Sequence, residues 1–159
     1  MSYGETKSKN FAKYCKEGKM HLVKKWIDNP NVDINWNKHS PLRYSIKTNQ
    51  IESIKLLLQN SKLKTDYEND NRPLKGPTGI INPFTEAMTR KNFEVLDIFI
   101  KSKKFKVERI EHLDILLSIN DEELNDYFKK IDGFESFILN SGDEYVKIVS
   151  ADAAAIFLF

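Results

Sequence analysis

The chain has 159 residues, of which 40% are hydrophobic and 30% are charged, with 25 Lys and Arg against 23 Asp and Glu. This length suits one domain with its own core, and the composition excludes wholesale disorder and a fibrous protein. The net charge of +2 supplies no broad field that attracts phosphates, so the composition does not favour nucleic acid as a partner.

Cysteine usage and apolar runs predict where the protein resides. The single cysteine, Cys15, cannot form an intramolecular disulfide, and residues 1–10 lack the apolar core of a signal peptide. No apolar stretch approaches the roughly 20 residues needed to cross a bilayer. We therefore expect a cytoplasmic protein without a membrane span. The abundance of Asn, Lys and Ile is typical of A/T-rich genomes, including those of some viruses and phages, and for a virus the compartment would be the host cell.

Three ten-residue blocks with the same apolar positions begin at residues 18, 49 and 91. Their apolar side chains recur at i, i+3, i+6 and i+7, which places them on one face of a short helix. These positions are Met20, Val23, Trp26 and Ile27, then Ile51, Ile54, Leu57 and Leu58, then Phe93, Leu96, Phe99 and Ile100. A further helix is predicted before each block, over residues 10–17, 40–48 and 83–90. Ser40-Pro41 and Asn82-Pro83 open the last two as an N-cap residue followed by proline.

The segments 40–43 and 49–58 resemble the ankyrin-repeat family. Ser-Pro-Leu-Arg at 40–43 is similar to the Thr-Pro-Leu-His that opens the family's inner helix, and residues 49–58 are similar to its outer helix. The resemblance implies an all-α repeat fold, an ankyrin-like solenoid of helix-turn-helix units in a domain over residues 1–131. The implied units are 9–36, 37–67 and 82–107, with an inserted loop at 68–81 and a degenerate fourth unit at 108–131.

Residues 132–159 depart from this pattern and are predicted to form a divergent C-terminal cap or tail. Residues 141–143 separate two apolar stretches, which we interpret as two short strands or as a helix and a strand. The last four residues are too apolar to remain in water, so we expect them to dock within the chain or on a partner. Docking on another copy would make the protein a self-assembling structural component, which is the alternative function. The four residues are Ile156, Phe157, Leu158 and Phe159.

No arrangement of residues in the sequence predicts catalysis, a cofactor or a metal site. By the resemblance, Cys15 falls where the family buries a small residue, and burial makes a thiol unreactive. The three histidines are too widely separated for zinc-ligand spacing. The acidic run at 121–123 is predicted to begin a helix, where carboxylates meet the positive end of the helix dipole. The loop at 76–79 lacks the Gly-Lys-Ser/Thr ending of a phosphate-binding loop and is interpreted as a turn.

A repeat scaffold of this kind favours protein binding, because such proteins use the face formed by their inner helices and loops as a docking site. The resemblance places two groups of residues on that face. The inner helices contribute Lys13, Lys16, Arg43, Tyr44, Lys47 and Arg90, with Glu86 nearby, and the first loop contributes Trp36, Asn37 and Lys38. Trp36 either anchors a partner or packs on the neighbouring repeat. We predict a non-catalytic module that binds, and can inhibit, an acidic intracellular protein, which would be a host protein if the genome is viral.

Overall fold

The computed structural model describes residues 2–64, 74–76, 79–81, 83–104, 116 and 119–131, and these residues are mostly helical. The helices are α1 (Tyr3–Glu17), α2 (Met20–Trp26), α3 (Trp36–Lys47), α4 (Ile51–Gln59), α5 (Pro83–Thr89), α6 (Phe93–Ser102) and α7 (Glu122–Lys129). Two short strands, β1 (Leu74–Gly76) and β2 (Gly79–Ile81), pair with each other where the sequence predicts an inserted loop. The prediction of a mostly helical protein is confirmed for these residues.

The chain forms two compact units. The first comprises Met1–Leu74 with Ile81–Phe105 and contains α1 to α6, and the second comprises Lys75–Ile80 with Lys106–Phe159 and contains α7. The side chain of Asp121 caps α7, because its Oδ1 accepts a hydrogen bond from the Leu124 amide at 3.0 Å. The predicted helix start at the acidic run 121–123 is therefore confirmed.

Several predictions concern residues outside the described ranges. They include part of the inserted loop, part of the degenerate unit at 108–131 and the cap or tail at 132–159. Self-association through Ile156, Phe157, Leu158 and Phe159 therefore stays a prediction.

The six helices of the first unit pack in two rows. Helix α3 packs against both α1 and α5, which makes an inner row, and α4 packs against both α2 and α6, which makes an outer row. Each inner helix also packs against the outer helix that follows it in sequence. Every one of the six helices contributes fully buried apolar side chains. They include Phe11, Val23, Leu42, Ile54, Phe84 and Leu96.

The turn inside each helix pair has the same backbone conformation. Its first residue is Gly18, Asn49 or Lys91, with φ of 65°, 55° and 49° respectively. In each turn this residue's amide donates to the carbonyl three residues earlier, and the next amide donates to the carbonyl five residues before itself. These residues also begin the three sequence blocks, so the same turn occurs at the same position of each block.

Gly18→Ala should lower the free energy of unfolding by about 1 kcal/mol, because a residue with a Cβ is strained in the left-handed conformation and because this Cβ would also displace the Gln50 side chain. Gly4→Ala is the matched control. Gly4 lies in the first turn of α1, where an added Cβ would meet only the Asn31 carbonyl oxygen, at an ordinary 3.6 Å. We expect Gly4→Ala to raise stability by about 0.5 kcal/mol. Urea unfolding followed by circular dichroism measures both, and shifts of the same sign would contradict the conformational explanation.

Helix α1 begins at Tyr3, so the predicted start at residue 10 is wrong. Ser2 Oγ accepts a hydrogen bond from the Glu5 amide at 3.2 Å, and the Glu5 carboxylate accepts one from the Ser2 amide at 3.3 Å. This reciprocal pair is a capping box, which satisfies amide groups at the helix start that have no partner within the helix. The Ser-x-x-Glu pattern at 2–5 is visible in the sequence and marks the true boundary.

Helix α3 opens with a left-handed turn. Asn37, Lys38 and His39 have φ of 48°, 57° and 61°, so the right-handed part of the helix begins at Ser40, as the sequence predicts. The Ser40 hydroxyl donates to the Asn37 carbonyl at 2.8 Å. This hydrogen bond links the right-handed part of the helix to the left-handed turn. The sequence predicted a different role for Ser40, that of an N-cap residue.

Candidate binding surface

The C-terminal ends of α1 and α3 carry three exposed lysines around a half-buried tyrosine. Lys13 and Lys16 belong to α1, and Tyr44 and Lys47 belong to α3. Lys16 Nζ lies 5.8 Å from the centroid of the Tyr44 ring, and Thr48 Oγ1 donates to the Lys16 carbonyl at 2.8 Å. The two helix ends therefore lie side by side, and we call Lys13, Lys16, Tyr44 and Lys47 the inner-row surface.

The carboxylate of Glu17 neutralises part of this surface. Its oxygens lie 2.7 Å from Lys19 Nζ and 3.8 Å from Lys13 Nζ. The hydrogen bond from Lys19, supported by the charges of Lys19, Lys13 and Lys16, lowers the pKa of Glu17 below its ordinary value. Lys16 and Lys47 form no ion pair within the part of the chain that the structure describes, so their charges are available to a partner.

Arg90 follows α5 in the inner row and is already paired. Its Nε donates to Glu86 Oε1 at 2.9 Å across one helical turn. The Glu86 side chain is only 12% exposed, whereas the Arg90 side chain is 44% exposed. Arg90 therefore offers a surface group whose charge is partly neutralised.

Arg43 lies inside the first unit, although the sequence analysis placed it on the binding face. The residue is 8% exposed, and its guanidinium donates to the carbonyls of Lys38 at 2.8 Å and Asn37 at 3.2 Å. It also donates to Ser40 Oγ at 3.2 Å. Burial lowers the pKa of Arg43, with a partial offset from the charges of Tyr44 and Glu86. Arg43 thus holds the left-handed turn, and its charge is not presented to a partner.

The predicted first loop, residues 36–38, does not project freely from the first unit. Trp36 and Lys38 are half-buried, and Asn37 is exposed. Trp36 lines a cavity of about 380 Å³ together with Ser2 and Glu5 at the start of α1. The half-buried indole lines an open pocket, so both alternatives for Trp36, anchoring a partner and packing on the neighbouring repeat, stay predictions.

A second surface lies between α1 and α2, and the sequence analysis missed it. Its lining residues share one open groove of about 260 Å³, which we call the α1–α2 groove. They are Tyr3, Thr6, Lys7, Asn10, Tyr14 and Trp26. The sequence analysis assigned Trp26 to the apolar face of a helix, but the residue is half-buried and forms one wall of the groove. The α1 residues recur at helical spacing, which becomes visible once α1 is extended to Tyr3.

Cys15 has the properties of a structural residue. It is fully buried, and burial raises the pKa of its thiol to about 12 despite a hydrogen bond with Ser45 that lowers it. Such a thiol carries almost no thiolate at neutral pH. Among the described residues, no group of three or more His, Cys, Asp or Glu side chains is arranged to hold a metal ion.

The described helices include none that is both long and apolar enough to cross a membrane. Comparisons of the chain with protein-family models, with curated proteins and with solved structures find no match. We therefore infer function from the surfaces of the first unit.

Proposed function

We propose that the first unit is an ankyrin-like stack of helix pairs that binds an acidic protein through its inner-row surface, without catalysis. The row packing supports the first part of this proposal, because each helix pair contacts the next through both an inner and an outer helix. Stacking of this kind is how helical repeats bury a continuous core while leaving one face open.

Equivalent positions near the ends of the outer helices also support a repeat. Asn29, Asn60 and Ser102 each accept a hydrogen bond on the side-chain oxygen from the amide two residues later, at 2.9, 2.9 and 3.3 Å. Each of these residues lies the same number of positions after the turn residue of its own helix pair. The same local geometry is thus present in three successive helix pairs. They include the third pair, α5 and α6, which follows the longer connection.

Side-chain hydrogen bonds join neighbouring helix pairs. Asn35 donates from its side chain to the Lys62 carbonyl at 2.8 Å and accepts from the Lys64 amide at 2.8 Å. Farther along, Asn92 Nδ2 donates to Asn49 Oδ1 at 2.9 Å. In this proposal these hydrogen bonds restrict movement between helix pairs, which lowers the entropy lost when a partner binds across two of them.

The observation that carries the binding proposal is the position of Tyr44 between two lysines without ion pairs. Tyr44 is half-buried, with Lys16 over its ring and Lys47 three residues along the same helix. Aromatic side chains held in place by packing are frequent interface anchors, and surrounding charges steer and select an oppositely charged partner. In this proposal the partner is an intracellular protein, or a host protein for a viral chain, and occupation of its acidic surface blocks that surface.

The double variant K16E/K47E should lose at least about tenfold in affinity for the acidic partner, because each change replaces an attraction by a repulsion. The partner is first captured from source or host cells with the full chain and identified by mass spectrometry. Its affinity is then measured by isothermal titration calorimetry at low and high salt. We expect the wild-type affinity to fall with added salt.

The matched control is K55E/K101E, which changes the net charge equally on exposed positions of α4 and α6 in the outer row. This control should bind within about twofold of the wild type. Equal losses in both variants would point to a general charge effect, and unchanged binding of K16E/K47E would reject the inner-row surface.

A further inference from the structure

The α1–α2 groove combines exposed aromatic surface with positive charge. Tyr3 is 74% exposed, and Tyr14 and Trp26 are half-buried walls of the same groove. Leaving large aromatic side chains partly in water is unfavourable. Several of them together in one groove are therefore typical of an interaction site.

Two lysines lie over the aromatic rings. Lys7 Nζ is 4.1 Å from the centroid of Tyr3 and 5.4 Å from that of Trp26, and Lys25 Nζ is 5.8 Å from that of Trp26. These distances are within the range of cation–π interactions, which hold an ammonium group in place without neutralising it. In the described chain neither lysine forms an ion pair, and the residues that line the groove include no carboxylate. The groove thus presents ammonium groups beside apolar walls.

We infer that the α1–α2 groove binds an acidic, apolar peptide segment of a partner protein, in which Asp or Glu neighbours a side chain such as Leu or Phe. The carboxylate complements Lys7 and Lys25, and the apolar side chain packs between Tyr3, Tyr14 and Trp26. The groove volume of about 260 Å³ is below the range of about 300 to 1,000 Å³ that is typical of sites for drug-sized ligands, which favours a small group such as a single side chain.

The geometry favours a peptide over single-stranded nucleic acid. Bases bind such proteins by stacking on open aromatic faces along a basic channel. Here the ammonium groups of Lys7 and Lys25 lie over the rings of Tyr3 and Trp26, where a base would stack. A carboxylate, in contrast, can form ion pairs with those ammonium groups without displacing them from the rings.

The test selects random displayed peptides on the full chain and measures the most enriched one by fluorescence polarisation. We expect enriched sequences to share an acidic residue next to a large apolar one. Lys7→Glu should weaken the selected peptide by at least about tenfold, and replacing the acidic peptide residue by Lys should restore binding to this variant. Such a charge swap requires a direct contact and would not follow from a change in folding.

Three variants serve as comparisons. Lys9→Glu makes the same charge change at an exposed α1 position outside the groove and should stay within about twofold of the wild type. Trp26→Ala should also weaken the peptide by about tenfold, provided that its circular dichroism melting curve shows a folded chain. K16E/K47E should leave peptide binding unchanged, so failure of this inference is distinguishable from failure of the proposed function.

Four outcomes would overturn the inference. They are the absence of enriched peptides, enriched peptides without acidic residues, equal effects of Lys7→Glu and Lys9→Glu, and displacement of the peptide by an oligothymidine at a lower concentration than unlabelled peptide requires. The last outcome would favour nucleic acid.

Discussion

Arg43→Met is expected to lower the free energy of unfolding of the first unit by about 3 kcal/mol. The guanidinium donates to two carbonyls of the turn at Asn37 and Lys38 and to Ser40 Oγ. Hydrogen bonds from a charged donor contribute about 1.5–3 kcal/mol each, and the partly buried Lys38 carbonyl would lose the donor that Arg43 supplies. Three successive non-glycine residues in the left-handed region also carry strain that these bonds offset.

Burial of the charge on Arg43 is itself costly, and this cost alone would make Arg43→Met stabilising. Replacing a buried ion pair by apolar residues is often neutral, because both charged partners are removed together. Arg43 is different, since its partners are backbone carbonyls and a hydroxyl that remain when the side chain is changed. Methionine supplies no donor to them, and destabilisation therefore prevails.

Urea unfolding followed by circular dichroism measures this effect, with Lys47→Met as the control. Lys47 is exposed on the same helix, so its substitution should change stability by less than about 0.5 kcal/mol. Arg43→Lys should fall between the two, because lysine keeps the charge but lacks the fork that reaches both carbonyls. Equal values for Arg43→Met and Lys47→Met would show that the guanidinium does not hold the turn.

Phe99→Ala should lower the free energy of unfolding by about 4 kcal/mol, as is usual when a buried phenylalanine is truncated. Phe99 is fully buried on α6, and its ring meets Phe84 of α5 edge to face, with centroids 5.7 Å apart and planes at 84°. Its removal leaves a cavity between an inner and an outer helix and also removes an aromatic pair.

Phe99→Leu tests whether lost volume causes this effect. Leucine retains most of the apolar volume, so its cost should be below about 1.5 kcal/mol. Tyr3→Ala serves as an exposed aromatic control and should have little effect on unfolding. A loss below about 1 kcal/mol for Phe99→Ala in urea unfolding would show that the site collapses or that the ring is not part of the core.

Much of the first unit could be predicted from its amino acids, because local patterns control local structure. The apolar spacing in the three blocks predicts α2, α4 and α6, and residues 83–90 coincide closely with α5. The start of α1 could also have been predicted, since the capping box at Ser2 and Glu5 is a local signal. Asn49 carried a weak local signal, since asparagine also adopts the left-handed conformation, but Lys91 was not predictable in this way because lysine rarely marks such a turn.

The candidate surfaces depended on tertiary structure. Helical periodicity assigns a residue to a face of its helix, but it does not say which neighbouring element covers that face. Arg43 was placed on the surface by its charge, yet its guanidinium turns inward and donates to carbonyls of the left-handed turn before it. Trp26 was assigned to an apolar face, yet it borders an open groove because Tyr3 and Lys7 of α1 lie beside it. Sequence therefore determined the helices and their order, and the packing of α1 against α2 and α3 decided which side chains a partner can reach.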